Sequence, residues 1–447
     1  MSAGGLVPVL GLAERAGLQS LARERLTVPG DKGAHAGAKV AALVAGMVAG
    51  ADSIEGMDLL RHGGMGRLFT GISAPSTLGS FLRSFGFGHV RQLDAVAARL
   101  VVNLAGQTPL LLDAGQIAYL DVDDTIRATY GYAKQGAGYG YSGVKGLNAL
   151  LAALSTPSSA PVVVATRLRK GSANSARGAA RLVADALKTS RACGAGGTDG
   201  LLVVRADSAF YGRDVIAAIG RAKARFSVTA RQDVAVKRAI AEISEDSWTA
   251  IRYPHAVFDD QLGQWVSDAE VAEVPFTAFT SRGRKHAVTA RLIVRRVRDQ
   301  NPDHLIANDQ GELFPAWRHH AVFTDSPLVM LQAEADHRRH AIIEQVIADL
   351  KNGPLAHLPS GKFNANSAWL VLAAIAFNLT RAAGTLASLF HARANTATIR
   401  RQLINIPARP IRSARRIHLR LPTNWPWADA LLALFSTTVG PPATAAA

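Results

Sequence analysis

Residues 117–125 read IAYLDVDDT, and the spacing of the acids in this stretch decides how the rest of the chain is organised. Isoleucine, tyrosine, valine and threonine favour a strand, whereas aspartate is a poor strand former and costly to bury. Side chains alternate along a strand, so Asp121 and Asp123 share one face while Leu120 and Val122 share the other. Paired carboxylates on one strand face fit either a strand end that reaches water or a metal-binding or catalytic task. LLVVRADSAFYG, residues 201–212, repeats the pattern: an apolar strand ends in Asp207 just before a loop and a helix. Open sheets bind ligands at the carboxyl ends of their strands, which makes Asp207 well located. Its ordinary alternative is a helix N-cap, a role that Ser208 fits as well.

A third acid lies in HRRHAIIEQVIADLKNG, residues 337–353. The spacing predicts one amphipathic helix with an apolar stripe of Ile343, Val346, Ile347 and Leu350, and with His337, His340, Glu344 and Lys351 in a line beside it. Glu344 thus sits at the edge of the buried face. Taken alone, this is an ordinary Glu to Lys arrangement on a helix surface. Glu334 lies on the approach to the helix but outside the proposed site.

The composition limits the function classes. A chain of 447 residues exceeds one core, so two or three domains are expected. At 48% hydrophobic and 19% charged it is globular rather than disordered. Lysine and arginine number 50 against 34 acids, a net charge of +16 that favours a polyanionic partner, nucleic acid first. Cys193 is alone, which excludes a disulfide framework and a cysteine zinc site and fits a cytoplasmic location. The N-terminus has no basic region before its apolar residues, so no signal peptide is expected. The longest apolar run, Ala368 to Phe377, is about half a membrane span and reads as a buried helix, with no membrane role.

Along the chain, residues 1–115 read as an N-terminal helical, DNA-binding domain, with Ser76 and Thr77 as N-caps of a short helix. Residues 116–231 carry hairpin-type strands followed by alternating helix and strand, an α/β pattern of a mixed sheet flanked by helices. Residues 232–325 give short alternating stretches (WTAIRY, AEVAEVPFTAF, HAVTARLIVRRV, WRHHAVFTD) that look like a β-rich insertion able to pack as a unit. The helical pattern resumes over 326–405, and 406–447 is a basic C-terminal segment and tail.

Together, LDVDDT, GYSGVKGLNALLA, VRADSAFYG and HAIIEQVIADLKNGPLAHLPSGKFNANSAWLVLAAIAFNLTR carry a resemblance to bacterial insertion-sequence transposases of the DDE group 1 type, over most of residues 76–427. The resemblance implies an RNase H-like catalytic core interrupted by a β-rich insertion. It makes Asp123, Asp207 and Glu344 the catalytic acids and metal ligands, with Asp121 as the alternative on the first strand. It further implies Mg2+ or Mn2+, two ions in all, and double-stranded DNA, both transposon ends and target, as partner. A homodimer is expected in the active DNA complex, with strand cleavage and transfer as the reaction. Lys351, Lys145, Arg338 and Arg339 are the implied DNA contacts. In the tyrosine, arginine, glutamate, lysine signature of such enzymes, Glu344 and Lys351 match. His337 and His340 stand at the tyrosine and arginine positions, where a histidine is only partly charged near neutral pH. The rival readings are a catalytically inactive, transposase-derived DNA-binding regulator and an RNase H-like nuclease or recombinase.

Weaker signals remain. YGYAKQGAGYGYSG (130–143) could stack DNA bases on its tyrosines, with Lys134 and Lys145 on phosphates, but a flexible hairpin with surface tyrosines fits it better. RLIVRRVR (291–298) and RPIRSARRIHLR (409–420) fit phosphate tracks or solvated strand faces. Trp248, Trp265 and Trp317 fit core packing.

Overall fold

A computed structural model describes residues 1–69, 71–130, 133–251, 257–259, 264–266, 269–298, 306–307, 313–314, 317–413 and 416–440. The architecture is α/β, with ten principal strands of mixed direction and helices packed on them. The chain divides into two compact units, residues 1–202 with 342–447 and residues 203–341.

In the first unit the strands are β1 (Ile117–Ala128), β2 (Gly138–Tyr139), β3 (Lys145–Ser155) and β4 (Val162–Lys170). β3 lies between β1 and β4, antiparallel to both, and β2 adds a short pairing on β3. Every residue of β3 after Lys145 is buried, as a strand covered on both faces requires. The Ala179–Ala192 helix packs against β1, β3 and β4, and the Ile342–Lys351 helix packs on β1 and β3. Only glycine fits where the hairpin folds over itself. A Cβ on Gly171 would stand 2.0 Å from the Gly146 carbonyl oxygen, and one on Gly146 would stand 2.3 Å from that of Arg127.

The Phe363–Ala387 helix is long and apolar enough to cross a membrane, yet 89% of its most apolar window is buried inside the protein. It packs against the Ala36–Ala49 and Phe87–Gln107 helices and β4. Its polar groups are satisfied there. Trp369 donates its indole N–H to the Pro354 carbonyl at 2.7 Å. Asn378 brackets Val163, accepting from its N–H at 2.8 Å and donating to its carbonyl at 2.7 Å. The Pro75–Arg83 helix starts on Pro75, so Ser76 and Thr77 lie inside its first turn instead of capping it.

The second unit contains β5 (Leu201–Ala206), β6 (Arg225–Thr229), β7 (Thr249–Ile251), β8 (Val257–Asp259), β9 (Gln264–Val266), β10 (Ala269–Ala278), β11 (Val288–Arg298), β12 (Ile306–Ala307), β13 (Leu313–Phe314) and β14 (Trp317–Thr324). β5 and β6 are parallel, joined through the Arg213–Arg221 helix, and the order continues β6, β14, β11, β10, β7 with antiparallel pairing. The strands expected in the insertion are present, and the last of them continues the order from β6. Thr324, Phe323 and Val322 pair with Ser227, Val228 and Thr229 of β6. Phe323 is fully buried, 5.1 Å from the Phe226 ring and in edge contact with Tyr211, Phe276 and Phe279. Removing 232–325 would delete Phe276, Phe279 and Phe323 and leave Tyr211 and Phe226 without these rings.

The helix read over 337–353 is interrupted. One helix covers Met330–Arg338, a 3-10 turn covers Arg339–Ala341, and a second helix covers Ile342–Lys351. The Asp336 carbonyl accepts from Arg205 at 2.6 Å and the His337 carbonyl pairs with the His340 ring at 2.7 Å. Side chains thus take carbonyls that a continuous helix would use four residues on. The C-terminal segment adds a ribbon, β15 (Arg409–Ser413) and β16 (Arg416–Arg420).

Candidate active site

On β1 the alternation read from sequence sorts three aspartates into three environments. Asp121 is fully buried, while Asp123 and Asp124 are half-buried. Asp124 faces β4, where its carboxylate accepts from Asn148 at 2.9 Å and pairs with the buried guanidinium of Arg169. Arg169 is held in turn by the Asn148 amide oxygen at 2.6 Å and by the carbonyls of Ser175 and Arg177 at 2.8 and 2.7 Å. This polar network fixes the strand, and its remote arginine gave no signal in the local pattern of β1.

The odd-numbered residues of β1 face the other way. Arg127 donates to the Ala356 carbonyl in the loop that follows the Ile342–Lys351 helix. Lys351, at the end of that helix, has its pKa lowered by burial and by Arg127, while Asp123 acts in the opposite sense and favours the ammonium. The stripe Ile343, Val346, Ile347 and Leu350 is buried as the periodicity predicts. Glu344 is exposed and makes no hydrogen bond or ion pair with the described residues. It lies about 10 Å along the helix axis from Lys351.

Beyond β1, Tyr130, Tyr139 and Tyr141 are strongly exposed, and so is Lys145 at the start of β3. Tyr132 lies outside the described residues. Lys134 differs from the phosphate contact read for it: its ammonium donates to the Leu358 carbonyl at 2.7 Å, so it braces the loop. Burial lowers its pKa.

In the second unit, Asp207 stands at the carboxyl end of β5. Its carboxylate accepts from the Ala209 N–H at 3.0 Å and caps the Ser208–Phe210 turn, the cap that the sequence offered equally to Ser208. Glu334 is buried between Arg295, at 3.1 Å, and Arg338, at 2.9 Å. Arg339 pairs with Asp336 at 2.8 Å. His337 is buried, bonded to the hydroxyls of Ser227 at 2.9 Å and Thr229 at 3.0 Å. Burial first, then the charges of His340 and Arg205, push its pKa down to about 3. It is a neutral packing residue. Trp248 and Trp317 sandwich the Arg296 guanidinium at 4.2 and 4.4 Å, and Glu245 and Glu270 bind that cation at 2.7 and 2.5 Å. The tryptophans therefore pack on a cation, where apolar core packing was expected. The Trp265 side chain lies outside the described residues.

A family model described as transposase DDE domain group 1 matches residues 1–438. The chain belongs to this family. No curated protein matches it. Membership in the DDE transposase family agrees with the α/β architecture of mixed strands flanked by helices and with the RNase H-like core that the resemblance implies. DDE transposases act on DNA and generally use divalent metals. Among the described residues no three His, Cys, Asp or Glu side chains gather as a metal cluster. Asp123, Asp207 and Glu344 are each carboxylates, the hard oxygen donors that Mg2+ prefers.

Proposed function

We propose that this chain mobilises an insertion sequence: it binds the terminal inverted repeats of its element, cleaves the strand at each end and joins the freed 3′ hydroxyls to target DNA. The observation that carries this reading is the shared surroundings of Asp123 and Lys351 on the face of β1 that packs against the Glu344 helix. Asp123, Asp207 and Glu344 would hold Mg2+ or Mn2+, which supplies Lewis-acid activation of the attacking oxygen and stabilisation of the leaving one. The half-buried Asp123 suits a ligand better than Asp121, which water does not reach. Lys351 holds a phosphate oxygen near the scissile bond, and Lys145, on the exposed hairpin, binds phosphate further along the strand. Arg338 and Arg339 reach DNA only by exchanging Glu334 and Asp336 for phosphate. Arg339 is itself exposed, but Asp336 is buried, so this exchange also takes a cation away from a buried carboxylate. Two copies act together, one at each end of the element.

The test is metal-dependent nicking of a supercoiled plasmid that carries the element's flanking repeats. Wild type should nick it in Mg2+. Chelator should abolish nicking while a gel-shift complex persists, because cationic side chains supply most of the affinity. Nicking that survives chelation, or a coding region without bounding inverted repeats, overturns the reading.

A further inference from the structure

The C-terminal ribbon is a two-stranded antiparallel element with register Arg409↔Arg420, Pro410↔Leu419, Ile411↔His418 and Arg412↔Ile417. Among the described residues it pairs with no other strand, and it packs against the Gly63–Arg67 turn, where Pro410 lies over Gly64. Arg409, Arg412, His418 and Arg420 are all exposed, as is Arg67 on the supporting turn, and Ile417 is 51% exposed. Like charges directly opposite across two strands are destabilising, and Arg409 faces Arg420. None of Arg67, Arg409, Arg412 and Arg420 has a carboxylate partner among the described residues. Buried and half-buried arginines elsewhere, for example Arg169, Arg291, Arg295 and Arg296, do have such partners.

We infer that this ribbon is a duplex-DNA docking element that lies in a groove and contacts phosphates through Arg409, Arg412 and Arg420. A two-stranded ribbon is one of the two protein elements that the major groove admits. Five residues per strand give about 17 Å of length, enough to cross a groove about 12 Å wide and meet both backbones. Uncompensated arginines on both faces suit an element with phosphates on either side. The inference deepens the transposase reading by adding a contact surface remote in sequence from the catalytic acids.

The experiment measures duplex affinity of the full-length protein by fluorescence anisotropy across a salt series. Neutralising all three arginines (Arg409→Gln, Arg412→Gln, Arg420→Gln) should lower the slope of log affinity against log salt by about 3, since each lost phosphate contact removes about one. The triple lysine variant should restore the slope. Lys237→Gln with Arg238→Gln, an exposed pair on another helix, should leave it near wild type. A wild-type slope in the glutamine triple overturns the inference, as does an equal loss in the control pair. A loss of binding to anionic lipid vesicles with unchanged DNA binding would assign the ribbon to a membrane and overturn it too. Absence of metal-dependent cleavage in wild type, with the slope change intact, would sink the transposase reading and leave the ribbon standing.

Discussion

Lys351 reaches from the last turn of its helix to the face of β1 that carries Asp123, and the aspartate favours its charge against burial and the opposing Arg127. A lysine beside the carboxylate proposed here as a metal ligand is placed to hold phosphate. Lys351→Gln should therefore slow single-turnover strand cleavage by about 100-fold, the loss typical of a preorganised charge donor. DNA binding measured at the same salt should fall far less. Equal losses in the two measurements would make Lys351 a general phosphate contact.

The acids are tested one at a time. Asp123→Asn, Asp207→Asn and Glu344→Gln keep size and remove charge, so each should cut metal-dependent nicking by at least about 100-fold without a change in melting temperature. Double variants should be little worse than singles, because one lost ligand already displaces the metal. Asp121→Asn resolves the first strand. Nicking lost in Asp121→Asn and kept in Asp123→Asn would move the site one pleat inward.

Asp124 and Glu334 are acids near the site in sequence whose loss should act through stability. Asp124→Ala leaves Arg169 buried without its anion, and Glu334→Gln leaves Arg295 and Arg338 facing each other. Breaking a buried pair from one side costs about 3 kcal/mol or more, read as a lower denaturant midpoint. Material that remains folded should still nick DNA. Normal stability with lost nicking in either variant would assign that acid to the chemistry.

His337 should make folding sensitive to mild acid. Its folded pKa of about 3 lies below the ordinary value of 6.5. Between those values the unfolded chain takes up a proton that the folded chain refuses, so stability rises with pH through this window and levels off above it. At pH 5 the penalty is about 2 kcal/mol. His337→Gln should lose less stability than wild type between pH 7 and pH 5, by urea denaturation. An equal loss would mean that the ring is protonated in the fold.

The sequence by itself determined the elements and their inward faces. The alternation in IAYLDVDDT, the apolar run that ends at Asp207 and the stripe Ile343, Val346, Ile347 and Leu350 are periodic. Period depends only on residues a few positions apart, so it survives without knowledge of the fold. Only the tertiary structure decided which carboxylate is spoken for. Asp123 and Asp124 are adjacent in the chain, yet Arg169 of β4 takes one and Lys351 neighbours the other. Glu334 reads only as an acid on the approach to the helix until Arg295 of β11 arrives, and His337 stands at the tyrosine position of the signature until Ser227 and Thr229 of β6 enclose it. The pairing of β14, at the end of the 232–325 segment, with β6 is likewise absent from the local pattern. In each case the partner comes from a strand far along the chain, and desolvation and charge pairing depend on what surrounds a side chain in space.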